Sequence, residues 1–382
     1  MKKLLFYLIV IFIIPITIIL WIFLGITVSA ETFRLFKSDQ VDKYNPEICY
    51  RSACIKGYEN YDWANKFFYE NKNLKFIFSD FTLWKAKNYR GETINILHPE
   101  NIRKTFKSKE FKNDKKAYFF GGSTAWGFGL SDDLTLPSLF AKKYNIETFN
   151  YAQQAWVSSQ NLTELSRIIS AQKKIDYVFF IDGINDSRSL CSTNQNENYF
   201  VSSVRKIYQE KVYSNQSYSN ISYDNIFNTF KSFITFLKYR FIDDYHFKRV
   251  QENFKETKYD CHKNRTKKEN AANFAIGNWM QAKILTEKVG GKFFLILQPN
   301  IYFDQTKNDH FLSLHKIHEK NVSLRGSEIA FYNEILKKIG NEHFFIDAKD
   351  IFRDKYDYIH IDYGGHFLPK GYEDVLEVIA SK

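Results

Sequence analysis

Three stretches of the chain carry side chains whose types suit acyl chemistry. The first reads Phe119-Phe120-Gly121-Gly122-Ser123-Thr124-Ala125-Trp126-Gly127-Phe128-Gly129. A serine flanked by glycine just past an apolar run sits where the backbone can turn sharply and present its hydroxyl. That hydroxyl is a weak nucleophile until a base takes its proton. The second stretch, Phe180-Ile181-Asp182-Gly183-Ile184-Asn185-Asp186, closes another apolar run. An asparagine there can aim its amide N–H at a developing oxyanion. The third stretch reads Asp362-Tyr363-Gly364-Gly365-His366-Phe367-Leu368-Pro369-Lys370-Gly371-Tyr372. His366 can act as a general base near neutral pH, and an Asp shortly before it can fix its tautomer. Taken singly, each stretch has a plainer reading. They are a glycine turn whose Ser caps a helix, an Asn-Asp turn closing a strand, and a glycine loop with a surface histidine.

These residues need elements to place them. The run 117–120 ends in Gly121-Gly122 and reads as a buried strand entering a tight turn. Helices follow over 136–144 and 161–173, and strands over 147–151 and 177–181. The alternation resumes with a helix at 271–289, a strand at 292–297, a helix at 328–339, a strand at 343–346 and a last helix at 372–380. Strands apolar on both faces, alternating with helices, imply a parallel sheet covered on both sides. Ligands of such sheets sit at the carboxyl ends of the strands. All three stretches fall at such ends.

In this order and position the stretches resemble the SGNH (GDSL-like) hydrolases, over about 116–190 and 292–382. Gly-Gly-Ser-Thr with Trp-Gly-Phe-Gly resembles the family's first block, and Gly-Ile-Asn-Asp its third. His-Phe-Leu-Pro-Lys-Gly-Tyr resembles the last block, where a Gly follows the catalytic His by five positions. The resemblance implies a flavodoxin-like three-layer α/β/α sandwich around a parallel sheet. It also implies ester cleavage through an acyl-enzyme, with no cofactor and no metal. Carried over, Ser123 attacks the carbonyl, His366 moves the proton and Asp362 orients His366. The oxyanion is held by the Ser123 N–H, the Asn185 side chain and a backbone N–H of the second block.

Two departures from the family pattern matter. The second block, Asn150-Tyr151-Ala152-Gln153-Gln154-Ala155-Trp156, has Ala152 and Ala155 where the family usually has Gly. Ala155 aligns with the oxyanion-hole Gly. It keeps the N–H, but alanine does not reach positive φ cheaply. A reshaped hole, or another donor, is therefore expected. The family also commonly places Asp three residues before His, whereas Asp362 stands four before His366. Asp357 and His360 have the three-residue spacing and form the alternative acid–base pair. That alternative puts Pro369 inside the following helix, where it would break hydrogen bonding. Asp362 with His366 is the preferred pair.

The remaining sequence sets the surroundings. After Met1-Lys2-Lys3 the run 4–28 holds no charge and is interrupted only by Pro15, Thr17 and Thr27. That length can cross the ~30 Å hydrocarbon core as a helix. Lys2 and Lys3 favour a cytoplasmic N-terminus. Residues 1–30 are thus expected to be a transmembrane signal anchor. A cleaved signal peptide ending at Ala30 is the rival. Either places the remainder outside the cytoplasm. Residues 31–115 form an aromatic-rich extension with a helix near 61–69 and no assignable role. Residues 116–382 form the hydrolase-like domain, with an insertion at about 189–270 that includes an amphipathic stretch at 225–239. The insertion is a lid or an inert decoration.

The four cysteines suit an oxidising compartment, as disulfides within Cys49/Cys54 and Cys191/Cys261. Four free thiols are the alternative. No Cys/His spacing suits zinc. A net charge of +11 favours anionic partners such as a membrane surface or acidic polysaccharide, or reflects a solvated basic surface. No nucleic-acid motif accompanies it.

Three functions remain open. The first is an extracytoplasmic esterase acting on acyl or acetyl esters, of small molecules or of envelope carbohydrate. The second is an O-acyltransferase to a polysaccharide. The third is a non-catalytic carbohydrate-binding or assembly protein.

Overall fold

The computed structural model describes residues 44–50, 53–108, 111, 113–171, 173–192, 259–304, 322–356 and 358–382, with scattered positions between 7 and 25. The chain divides into two compact units. One comprises Pro46–Lys206 and Glu256–Lys382 and holds every element below. The other, Met1–Asn45 with Ile207–Lys255, lies almost wholly outside the described residues.

The centre is an eight-stranded sheet. Its parallel part is built from β6 (Asn113–Gly121), β7 (Ile146–Asn150), β8 (Tyr177–Asp182), β9 (Lys292–Leu297) and β10 (Phe345–Asp347). Their order across the sheet is β10-β9-β8-β6-β7. This is the 2-1-3-4-5 order of flavodoxin-like folds, with its switch point between β6 and β8. Three short antiparallel strands extend the β7 edge. They are β5 (Ile102–Arg103), β4 (Asn95–Leu97) and β3 (Tyr89–Arg90). The sheet is thus mostly parallel, with an antiparallel margin contributed by the segment before residue 115.

Strand side chains alternate between the two faces. On one face Ala117, Phe119, Phe179, Ile181, Ile296 and Ile346 join one core cluster. It is covered by α3 (Leu136–Tyr144), α8 (Pro369–Ala380) and α1 (Trp63–Lys72). On the other face Tyr118, Phe120, Val178, Phe180, Phe293 and Leu295 join a second cluster. It is covered by α4 (Ser158–Ser170), α6 (Arg265–Lys288) and α7 (Val322–Ile339). The result is three layers. The high phenylalanine content has a use here. Phe119, Phe179 and Phe294 stack across neighbouring strands at centroid spacings of 4.5 and 5.2 Å. Offset aromatic pairs at such spacings add to plain area burial.

The segment before the parallel sheet packs into the same core through Tyr58, Phe67 and Phe68. Buried Glu70 on α1 accepts hydrogen bonds from the backbone of Glu92, Thr93 and Ile94, fixing the turn from β3 into β4. A separate hairpin pairs β1 (Phe76–Ser79) with β2 (Leu83–Ala86).

Cys49 is joined to Cys54, and Cys191 to Cys261. The second bond follows α5 (Ile184–Leu190). Next to it Ser192 bridges Tyr259, so the two ends of the insertion meet. Its amphipathic stretch at 225–239 lies outside the described residues, as does nearly all of the apolar run 4–28. Among the described residues, no helix is long and apolar enough to cross a membrane.

Candidate active site

The nucleophile turn is built by glycine. Gly121 ends β6 at φ +148°, and a Cβ there would lie 2.5 Å from the Ile181 carbonyl on the neighbouring strand. A Cβ on Gly122 would meet the Asn185 amide at 2.2 Å. Only bare backbone lets the chain leave the strand this close to β8. Ser123 then opens α2 (Ser123–Trp126), a single turn ended by Gly127 in the left-handed region. Its N–H, at the first helical position, has no intrahelical acceptor.

Two buried polar side chains hold this turn from below. Arg103 of β5 donates to the carbonyls of Trp126, Gly127 and Leu130, pairs with Asp132 at 3.0 Å and lies 4.2 Å over the Trp126 ring. Asn150, at the end of β7, donates to the carbonyls of Ala125 and Trp126. The outer carbonyls of the short helix therefore all have partners.

Ser123 Oγ lies 2.6 Å from His366 Nε2. His366 Nδ1 lies 2.8 Å from both carboxylate oxygens of Asp362. The structure thus brings Ser123, His366 and Asp362 together in triad geometry despite the four-residue spacing. Gly364 explains how. Its N–H donates to Asp362 Oδ1 at 2.7 Å, and a Cβ there would strike the imidazole at 2.6 Å. The extra residue is absorbed in a bare turn beneath the ring. Phe128 packs against the imidazole with the ring centroids 4.3 Å apart. Thr124 donates to the Gly365 carbonyl and accepts from Gln298, linking the nucleophile turn, the histidine loop and the end of β9. Pro369 is the first residue of α8, where its missing N–H costs nothing.

The alternative pair separates differently. His360 is buried and bonded to Asp304 at 2.8 Å, not to Ser123. Asp357 lies outside the described residues.

Asn185 is the second residue of α5. Its amide donates to the Trp156 carbonyl at 2.9 Å, leaving a second N–H for a ligand. Ala155 adopts φ +65°. The expected reshaping of this loop is therefore not what the backbone displays. The alanine takes the left-handed conformation a glycine would take, at a cost of about 1–2 kcal/mol. The loop is clamped. Gln153 receives the Ala86 N–H and donates to the Asn101 carbonyl, Trp84 donates to the Gln154 carbonyl, and Trp156 donates to the Trp84 carbonyl.

Beneath this loop lies a buried carboxyl pair. Asp186 accepts from the backbone and hydroxyl of Ser158, the first residue of α4. Asp182 accepts from Asn161 and Trp279. Burial pushes Asp186 up to about 6. Burial first, then the neighbouring Asp186, pushes Asp182 well above the usual carboxylate range. A further buried pair ties the elements behind the site. Arg188 of α5 contacts Glu328 at 2.6 Å and donates to the Tyr363 carbonyl, next to Asp362. Burial pushes Glu328 up while the guanidinium pulls it down. An arginine keeps its proton in proteins, so the short contact describes a charged pair.

Sequence reasoning missed Arg103, Asp182, Arg188, Gln298 and Glu328. Asp182 lies within the Asn185 stretch and Arg188 two residues beyond it, which offers a weak signal. Arg103 and Glu328 carry none. Among the described residues, no group of three His, Cys, Asp or Glu could hold a metal ion.

No family model matches the chain, and no curated protein matches it. Solved structures do. A carbohydrate acetylesterase family member from Sinorhizobium meliloti is 10% identical, covering 70% of this chain and 96% of its own, with a TM-score of 0.37. A member of the lipolytic G-D-S-L family from Veillonella parvula is 11% identical, covering 70% and 97%, with a TM-score of 0.33. A second carbohydrate acetylesterase structure from Sinorhizobium meliloti is 12% identical, covering 70% and 97%, with a TM-score of 0.35.

Proposed function

We propose that the chain is an SGNH-type serine ester hydrolase. The observation that carries this reading is the Ser123–His366–Asp362 relay, with contacts of 2.6 and 2.8 Å at the carboxyl ends of the strands. As Ser123 Oγ bonds to the ester carbonyl carbon, His366 Nε2 takes its proton. The carbonyl oxygen becomes an oxyanion, met by the Ser123 and Ala155 N–H groups and the Asn185 amide. The imidazolium, stabilised by Asp362, returns the proton to the alkoxide as the ester C–O bond breaks. Water then repeats the sequence against the acyl-enzyme, and the acid leaves.

The substrate is an acyl or acetyl ester, and the setting is extracytoplasmic, with residues 1–30 as anchor. The uncharged run 4–28 behind Lys2 and Lys3 supports that setting, as do the paired cysteines. Ester-bearing envelope carbohydrate is the substrate class this setting favours. The test is labelling by a fluorophosphonate probe together with turnover of a chromogenic acetyl ester. Ser123 is expected to be the labelled residue. Turnover that survives Ser123→Ala would overturn the proposal.

A further inference from the structure

The β1–β2 hairpin is built asymmetrically. β2 is locked to the body of the domain. Lys85 pairs with Glu164, Trp84 exchanges hydrogen bonds with the 154–156 loop, and Gln160 donates to the Thr82 carbonyl. β1 is left to solvent. Phe76, Ile77 and Phe78 are 46, 36 and 58% exposed, and Phe81 in the turn is 88% exposed. Single exposed apolar residues are ordinary, but a contiguous group marks an interaction surface. The turn itself is strained. Phe81 and Leu83 have φ of +66° and +71°, a conformation that bulky residues rarely adopt. Strain that holds a phenyl ring out in water points to use of that ring.

The surroundings define the partner. Lys72, Lys75, Lys87 and Arg90 are exposed near the base of the hairpin, against Asp80 at the turn. Aromatic rings next to exposed cations suit an anionic lipid surface, which takes apolar groups below its headgroups and attracts basic ones. We infer that the β1–β2 hairpin docks on an anionic bilayer, with Phe76 and Phe78, which share one face of β1, and Phe81 entering the boundary between headgroups and acyl chains. The inference rests on the anchored reading above. Residues 29–43 reach at most about 50 Å beyond the apolar run, so the domain stays near the membrane. Tethering makes even a weak patch effective. Since β2 lies about 4.8 Å from β1, docking brings the clamped 153–156 loop close to the headgroups. The substrate would then be an amphipathic ester, or one borne on a membrane-held carrier.

All four cysteines are in disulfides, so one introduced cysteine gives a unique label. The full chain carrying Phe81→Cys with an environment-sensitive fluorophore is mixed with phosphatidylcholine–phosphatidylglycerol vesicles by detergent removal. Phe76→Cys is the second site, and Ile284→Cys on α6, 60% exposed, is the control. The hairpin labels should shift to the blue and be quenched by nitroxide lipids, while the control stays in water. Flotation after an alkaline carbonate wash, which strips surface-docked protein but not an inserted helix, separately reads the N-terminal anchor. Floating protein with unshifted hairpin labels overturns the docking and leaves the anchor standing. Labels that shift on protein that does not float support docking and overturn the anchor. A shift without lipid that grows with protein concentration assigns the patch to a second copy and overturns the inference.

Discussion

The nucleophile turn and the histidine loop face each other across 2.6 Å but are held by different means. The nucleophile turn is fixed by fully buried groups from distant elements, Arg103 and Asn150, whose donors bind the Ala125, Trp126 and Gly127 carbonyls. The histidine loop is fixed by near neighbours. Asp362 and Gly364 act on the imidazole from within its own turn, and Thr124 and Arg188 tie the loop by single hydrogen bonds. The first arrangement spends desolvated charge to hold a backbone. The second relies on close contact and the absence of a side chain. The two halves should therefore fail differently, one through stability and the other through geometry.

The largest effect is chemical. Ser123→Ala should lower turnover by a factor on the order of 10⁶, read as loss of ester hydrolysis, with the thermal midpoint nearly unchanged. Arg103→Met tests the nucleophile side. It strands Asp132 in the core and should cost about 3–5 kcal/mol, measured by urea unfolding. If unfolding were unaffected and only turnover fell, the contrast between the halves would be wrong.

The carboxyl pair beneath the loop predicts a pH dependence. Asp182 and Asp186 hold protons more tightly folded than unfolded. Their contribution is thus complete in acid; the Asp186 part is lost as pH rises through about 6, and the Asp182 part as pH rises through that group's own raised value. Between about pH 4 and pH 7 the Asp186 shift corresponds to roughly 3 kcal/mol. Asp186→Asn should flatten that decline in unfolding midpoints, and an equally steep decline in the variant would remove the pair as its cause.

Gly364→Ala tests the histidine side. The new methyl would displace the imidazole, and an ångström of misplacement costs about a hundredfold in rate. Probe labelling should fall while stability stays within about 1 kcal/mol. The smallest effect belongs to Ala155→Gly. It relieves a positive φ but gives up chain stiffness, so stability should change by under about 1 kcal/mol. A large loss would mean the Ala155 methyl packs for a purpose.

Much of this was legible in the sequence because it is local. Apolar runs ending in glycine marked β6 and β8. The order of Ser123, Asn185 and His366 placed the site at the carboxyl ends of the strands before any strand was paired. The antiparallel margin was not legible, since β3, β4 and β5 are two or three residues each and take their order from the β7 edge. Ala155 was read for its propensity, and clamping by Gln153, Trp84 and Trp156 overrides that propensity. Arg103 could not be found, because an arginine's burial depends on contacts across the fold rather than on its neighbours in the chain. The spacing of Asp362 looked anomalous because sequence counts residues, while Gly364 folds the extra one away.

The bond between Cys191 and Cys261 brings those α-carbons to 5.2 Å. The two ends of the segment between them therefore sit at nearly one point. For the surrounding scaffold such a segment is exchangeable cargo. Doubling or halving its length changes the closure term by only about 0.6 kcal/mol. Selection could thus lengthen, shorten or replace it while the sheet, the turn and the histidine loop stay as they are.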